Sequence, residues 1–494
     1  MGAVWRSDRS RAGNGKRAPV PGKAGKKTSS GRRLARRMGW LLVVSLLAGG
    51  GYAAWHEMHS SKLQALWLSR YADNLDYQLK PGASPSILFP EAGPFDRRLG
   101  YAQLPGFLER LTASGFAIEK QVRFSPALQR YVSRGFFVPY PEKFQAGLSI
   151  DDCRGEPLYA NRYPHQYYET FDDVPPVVAM SLLFIEDRGL LDAGRPRANP
   201  AVDWPRFTRA AITQVERQLG LPVQAAGGST LATQVEKYRH SPEGRTGSAE
   251  EKLRQMVSAS VRAYSRGQLT MDARQHIVRD YLNSVPLSAA FGHGEVHGIA
   301  DGLRLWFGVD FAEINRLLDS RRNAGTSLDA QGLALRQVLS LLIAQRRPSY
   351  YLLSGRDALA ELTDSHLRVL ASGGVIDTRL RDAALQQQVV FRDLRREPGI
   401  REVAANKGIS AARMRLSNLL GVSLYELDRL DLTATTPLHG ELQSQVSTYL
   451  ERLAEPEFAG EAGLFGERML SPERTAWAAM VVPWFMACER RIRC

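Results

Sequence analysis

Cysteine is nearly absent from this chain. Its 494 residues hold three, Cys153, Cys488 and Cys494, too few for a disulfide scaffold or a cysteine metal site. A Cys488–Cys494 pair is compatible with an extracytoplasmic location, but nothing in the pattern requires it. Long apolar runs are scarce as well. A mean hydropathy of −0.28 excludes a polytopic membrane protein, and 44% hydrophobic residues is ordinary for a globular chain. Acids are missing from the N-terminus, where the first 37 residues carry twelve Lys or Arg against Asp8 alone. That excess of +11 leaves +3 of the total +14 for everything that follows. The basic character therefore belongs to a tail and not to the folded body. No internal repeat is visible.

The tail, residues 1–37, is rich in Gly, Pro, Ser and Lys/Arg, with little to bury, and reads as disordered. Basic tails suit nucleic acid, but the next segment gives a better reading. Met38 to Trp55, "MGWLLVVSLLAGGGYAAW", is uncharged and as a helix would span roughly 27 Å, close to a bilayer core. Arg36 and Arg37 abut its start, and Trp40, Tyr52 and Trp55 suit the interfaces. Residues 38–58 are thus expected to form a transmembrane anchor, uncleaved because no small-x-small site follows it. The positive-inside rule places the tail in the cytoplasm and the bulk of the chain outside, with no role for nucleic acid.

Residues 59–170 mix short amphipathic stretches ("LPGFLERLTASGF") with alternating ones ("FFVPYPEKFQAGLSI"), punctuated by prolines. They predict a small α/β region. Residues 171–400 are helical in texture, with 3.6-residue periodicity and few prolines. Residues 401–494 change again: "LYELDRLDLTATTPLHGELQSQVSTYLERLA" predicts a short strand and then an amphipathic helix.

Chemistry concentrates in the helical part. In "VVAMSLLFIEDRGLL" an apolar helix, started by Pro175 and Pro176 and cappable by Asp172 or Asp173, runs into Glu186-Asp187-Arg188. A carboxylate at the end of a buried helix is suited to general acid or base work; the plainer alternative is that Glu186 pairs with Arg188. In "AAGGSTLATQVEKYRH" a Gly227-Gly228 turn precedes a helix capped by Ser229 or Thr230. Thr230, Gln234 and Lys237 then share one face. A glycine turn, free helix N–H groups and a lysine suit a phosphate, although a merely capped surface helix gives the same pattern. Three further stretches follow: "SAEEKLRQMVSASVRAYSRG", with Glu251, Lys252 and Gln255; "HIVRDYLNSVPL", with Asn283; and "LSLLIAQRRPSYY". His293 and His297 stand four apart, but Gly292, Gly294 and Gly298 argue against a helical zinc pair, and no metal ligand is assigned.

In this order, over residues 150–355, these blocks resemble the peptidoglycan glycosyltransferase domain (glycosyltransferase family 51) of class A penicillin-binding proteins and monofunctional transglycosylases. Glu186-Asp187-Arg188, then Gly227, Gly228, Ser229, Thr230, Gln234 and Lys237, then Glu251-Lys252-x-x-Gln255, then Ile277-Val278-x-x-Tyr281-Leu282-Asn283, and finally Pro348 match its motifs. The resemblance implies a mainly α, lysozyme-like helical fold with a membrane-lying subdomain, behind the transmembrane helix and the small α/β region. It implies an inner-membrane polymerase of lipid-linked disaccharide-pentapeptide, with inversion and undecaprenyl pyrophosphate as leaving group. Glu186 would be the general base. Glu251 and Gln255 stand at the family's second acidic position. Asp187, Arg188, Gly228, Ser229, Thr230, Gln234, Lys237, Lys252 and Asn283 would bind substrate or pyrophosphate. The family also allows a divalent cation, Mg or Mn, at the pyrophosphate, and other cell-wall synthesis proteins as partners.

The chain departs from the pattern in three places. Gln255 replaces the family's Glu, keeping hydrogen bonds but no charge. "EDRGLLDA" lacks the family's Phe and His, and about six extra residues lie near "YSRGQL". These departures keep a second reading open: a catalytically impaired scaffold of the same fold that binds precursor or cell-wall synthases. A glycan hydrolase with paired carboxylates is the third, disfavoured because a hydrolase has no phosphate to hold. "LDLTATTPLHGELQSQVSTYL" resembles the linker into a transpeptidase domain, but the chain contains no Ser-x-x-Lys, Lys-Thr-Gly or Lys-Ser-Gly. Residues 401–494 are therefore expected to be a linker to a missing or truncated domain. The ending "WAAMVVPWFMACERRIRC" suggests a truncated or shifted reading frame.

Overall fold

The computed structural model describes residues 29–206, 208, 209, 213, 216, 229–394, 407–453, 455–466 and 491–493. Two units emerge, Met1–Met58 and His59–Cys494. In the first, helix α1 (Ser29–Ser60) contains a 24-residue stretch, Arg37–Ser60, with mean hydropathy 1.4 and no buried surface. Its length and composition fit a bilayer crossing.

The second unit opens with α2 (Lys62–Ala72), behind Ser61, whose left-handed backbone (φ 50°) breaks the preceding helix. Strand β1 (Tyr77–Pro81) pairs antiparallel with β2 (Lys120–Phe124). Between and after these strands lie α3 (Pro94–Arg98), α4 (Leu104–Ala113) and α5 (Pro126–Ser133), the last capped by Ser125 Oγ. Of the alternating stretch before residue 150, only β3 (Leu148–Asp151) is a strand. Pro139 and Pro141 remove two of the donors a longer strand would need. β3 pairs with β4 (Pro157–Ala160).

The helical body follows: α6 (Pro176–Glu186), α7 (Leu231–His240), α8 (Ala249–Tyr264), α9 (Met271–Ser284), the hairpin β5 (Pro286–Ala290) and β6 (Gly294–His297), then α10 (Gly298–Gly302), α11 (Phe311–Leu318), α12 (Leu328–Ala344), α13 (Arg356–Ser372) and α14 (Thr378–Gln386). α12 is buried on all sides from Ala334 to Ala344, and it takes Arg336, Gln337 and Ser340 in with its apolar residues; Arg336 is paired with Asp364 and donates to Ala384 O. Around it Val178, Leu182, Val235, Val278, Leu282, Trp306, Leu342 and Leu370 form the main core. Gly332 lets α12 touch α14: a Cβ there would lie 2.7 Å from the Ala384 nitrogen.

After the body come α15 (Lys407–Leu420), the expected strand as β7 (Leu432–Thr435), the expected helix as α16 (Gly440–Arg452), and β8 (Arg491–Arg493). β7 runs parallel to β3, with Leu148 opposite Leu432, in a sheet ordered β4-β3-β7-β8. Phe107, Leu111, Leu148, Ile150, Leu416, Leu420 and Leu432 form a second core beneath that sheet. Residues from before and after the helical body thus share one sheet and one core. Most of the ending discussed above, 467–490, lies outside the described residues.

Candidate active site

Glu186 is the last residue of α6. The helix starts at Pro176 as expected, but its N-cap is Pro175; Asp173 instead accepts from Thr170 N and Oγ1, closing the short turn before it. The Glu186 side chain is 16% exposed. Both carboxylate oxygens face amides: Oε2 accepts from Gln234 Nε2 and Oε1 from Gln345 Nε2, each at 3.4 Å. Arg346 Nη2 stands 3.9 Å from Oε1. The Tyr238 hydroxyl lies 3.2 Å from Gln234 Oε1 and 2.9 Å from Gln345 Oε1. Its single proton serves one of these oxygens at a time, the Gln345 oxygen being nearer, and the amide that accepts it is held with its N–H group toward Glu186. α12 ends just before Gln345, and Pro348 prevents its continuation. The C-terminal ends of α6 and α12 thus bring Glu186 and Gln345 to one place.

Arg188 does not pair with Glu186. Its Nε donates to Phe184 O (2.9 Å), and its guanidinium lies 3.8 Å over the Phe184 ring. The α6 terminus is satisfied instead by Arg206, whose Nη1 donates to Glu186 O at 2.9 Å. Asp187 is buried and turns toward α7, accepting from Leu231 N–H. Burial pushes its carboxyl up to about 6, with Asp203 adding to the rise and Arg206 opposing it.

α7 presents Gln234 and Lys237 to this place. Burial lowers the Lys237 ammonium pKa, and the Glu186 charge acts in the opposite sense. Lys252, from α8, is lowered to about 8 by burial and by Lys237. Its Nζ donates to Ser229 Oγ (2.8 Å) and Thr233 Oγ1 (3.4 Å). Two half-buried ammonium groups within Coulombic range of each other, with one carboxylate nearby, favour a bound anion. The helix terminus contributes less than its sequence predicts. Thr230 caps α7, but its own N–H donates to Thr233 Oγ1, Thr233 N–H returns to Thr230 Oγ1, and Leu231 N–H goes to Asp187. Those three donors are engaged within the protein. Gly227 and Gly228 lie outside the described residues.

Glu251, Gln255 and Asn283 are placed elsewhere. Gln255 Nε2 donates to Ser241 Oγ (2.9 Å) and Thr246 Oγ1 (3.0 Å), while the Ser241 hydroxyl donates to Glu251. These two side chains fasten the turn between α7 and α8. Among the described residues, no hydrogen bond or ion pair joins either to Glu186. Asn283 clamps Tyr168, donating to its carbonyl (2.8 Å) and accepting from its N–H (2.9 Å). Nor do described His, Cys, Asp and Glu gather in a group of three able to hold a metal. A divalent cation at the pyrophosphate, which the family allows, would draw most of its ligands from phosphate and water.

The sequence patterns do not single out Gln345, Arg346 or Tyr238. The signal available was the polar break at the end of the apolar run "SLLIAQRR", the same feature that marks Glu186.

A helical body that carries a half-buried carboxylate with lysines in its neighbourhood is the setting of a transferase. Residues 154–371 match the family model described as Transglycosylase. These residues constitute a peptidoglycan glycosyltransferase domain, of a divergent kind. No curated protein was found to match the chain.

Proposed function

We propose that the chain is a membrane-anchored polymerase that joins lipid-linked disaccharide-pentapeptides into glycan strands. Arg37–Ser60 would be the single span of the inner membrane, with the basic tail in the cytoplasm. Glu186 would take the proton from the acceptor sugar's 4-hydroxyl as that oxygen bonds to the anomeric carbon of the growing chain. The bond to undecaprenyl pyrophosphate breaks on the opposite face, inverting the centre, and Lys237 and Lys252 receive the charge of the departing pyrophosphate. Gln234 and Gln345 would keep the carboxylate oriented and Arg346 would add positive charge beside it. What supports this reading is the half-buried Glu186 carboxylate held between Gln234 and Gln345 inside the stretch that matches the Transglycosylase family.

Purified full-length protein incubated with the lipid-linked disaccharide-pentapeptide will yield glycan polymer, and Glu186→Gln will abolish it. Undiminished polymer from that variant would mean the base is another group. Gln255, neutral and fixed to Ser241 and Thr246, favours a second reading, a scaffold that binds precursor without turnover. Saturable binding with no polymer would select it.

A further inference from the structure

The fully buried face of helix α2, packed on α8, is made of small side chains, Ala65, Ser69 and Ala72, with Leu68 beside them against the core. A second set of large apolar side chains is left outside: Leu63 is 59% exposed, Trp67 71% and Tyr71, whose ring lies tilted on Tyr131, 40%. They recur every four residues and form one stripe along the helix. Lys62 and Arg70 are exposed beside it. A soluble helix of this composition would bury its Leu and Trp and expose its Ala and Ser.

Chain length identifies what covers the stripe. Only Ser61 separates α2 from the end of the apolar helix at Ser60. Six residues of α2 at 1.5 Å each carry Trp67 only about 10 Å from that point, roughly the depth of a headgroup layer. Trp and Tyr are the residues that settle at that depth, and Lys and Arg meet anionic headgroups there. We propose that the Leu63–Trp67–Tyr71 stripe lies on the lipid bilayer, so that α2 is an interfacial helix docking the extracytoplasmic body against the membrane. This rests on the anchoring of the chain by Arg37–Ser60.

The test uses the full chain in vesicles of phosphatidylethanolamine and phosphatidylglycerol, with the photo-crosslinker p-benzoylphenylalanine replacing Trp67, Val44 or Glu109 in turn. Val44 lies within the span and Glu109 is exposed on α4. The expected result is phospholipid adducts at position 67 at about the level seen at 44 and at least about tenfold above 109. Adducts at 44 with position 67 no higher than 109 would overturn the interfacial helix and leave the anchor standing. A polypeptide adduct at 67 would overturn it too, showing that a second copy covers the stripe. Absence of adducts at 44 would remove the anchoring reading and this inference with it.

Discussion

The Tyr238 hydroxyl lies 2.9 Å from Oε1 of Gln345, joining α7 to the end of α12 behind the Glu186 carboxylate. The same hydroxyl reaches Gln234 Oε1, so two amides share one donor proton. Tyr238→Phe is expected to lower kcat about tenfold with little change in KM, since the carboxylate loses its orientation and substrate contacts remain. Gln234→Ala and Gln345→Ala are expected to be non-additive in a double-mutant cycle on kcat, because they share that hydroxyl. Additive losses would show that the amides act separately.

With Lys252 as the proposed pyrophosphate contact, its pKa lowered to about 8 by burial and by Lys237, activity is expected to fall as pH rises through about 8. Lys252→Arg, whose guanidinium stays charged, is expected to move that limb upward. Stability runs the other way. Folding lowers this lysine's pKa, so the folded state disfavours the ammonium, and its contribution to stability grows as pH rises from about 8 toward the ordinary lysine value. Lys252→Met is therefore expected to raise Tm below pH 8 while reducing polymer yield. Thermal melts at pH 7 and pH 10 check the sign.

Gln255→Glu restores the family's residue and is expected to harm. The new carboxylate would be buried beside Ser241, whose hydroxyl already serves Glu251. A second carboxylate with too few donors costs about 1–3 kcal/mol. A lower Tm without a rise in rate is the expected outcome; a rise in rate would return this position to the catalytic set.

His240 lies between Asp96 Oδ2 and Glu142 Oε1, 2.8 Å from each, with Glu142 also bound to Arg239 and Arg262. Burial opposes the imidazolium, yet the two carboxylates outweigh it and hold its pKa at about 10. Since folding raises this pKa, the stabilisation is complete below pH 6.5 and is lost as pH rises through about 10. His240→Gln is expected to lose most stability at pH 6 and least above pH 10. Glu142→Gln leaves three cations short of a partner and is expected to cost about 3–5 kcal/mol by denaturant melts at neutral pH.

The helical blocks could be read from the sequence because they rest on local chemistry. Pro176 starts α6 and Thr230 caps α7; the Leu-rich second half of α12 marks it as core, though nothing local shows that Arg336 and Gln337 are buried with it. Glu186 was legible because a charge ending an apolar helix is a local anomaly. Gln345 was not, because its contact with Glu186 spans 159 residues and the run before it reads as ordinary core. The engagement of the α7 N–H groups was hidden for a related reason: Asp187 reaches Leu231 across a segment whose folding no local pattern specifies. The β3–β7 pairing is longer-ranged still, between strands too short to announce a partner.

That pairing has a mechanical consequence. β3 and β7 lie side by side in the same direction, and the helical body is the loop between them. Force applied to the chain ahead of β3 and beyond β7 would draw the two strands past one another, so that their hydrogen bonds resist together. In a chain anchored as proposed, this short seam would share the load with the packing of α2 on α8.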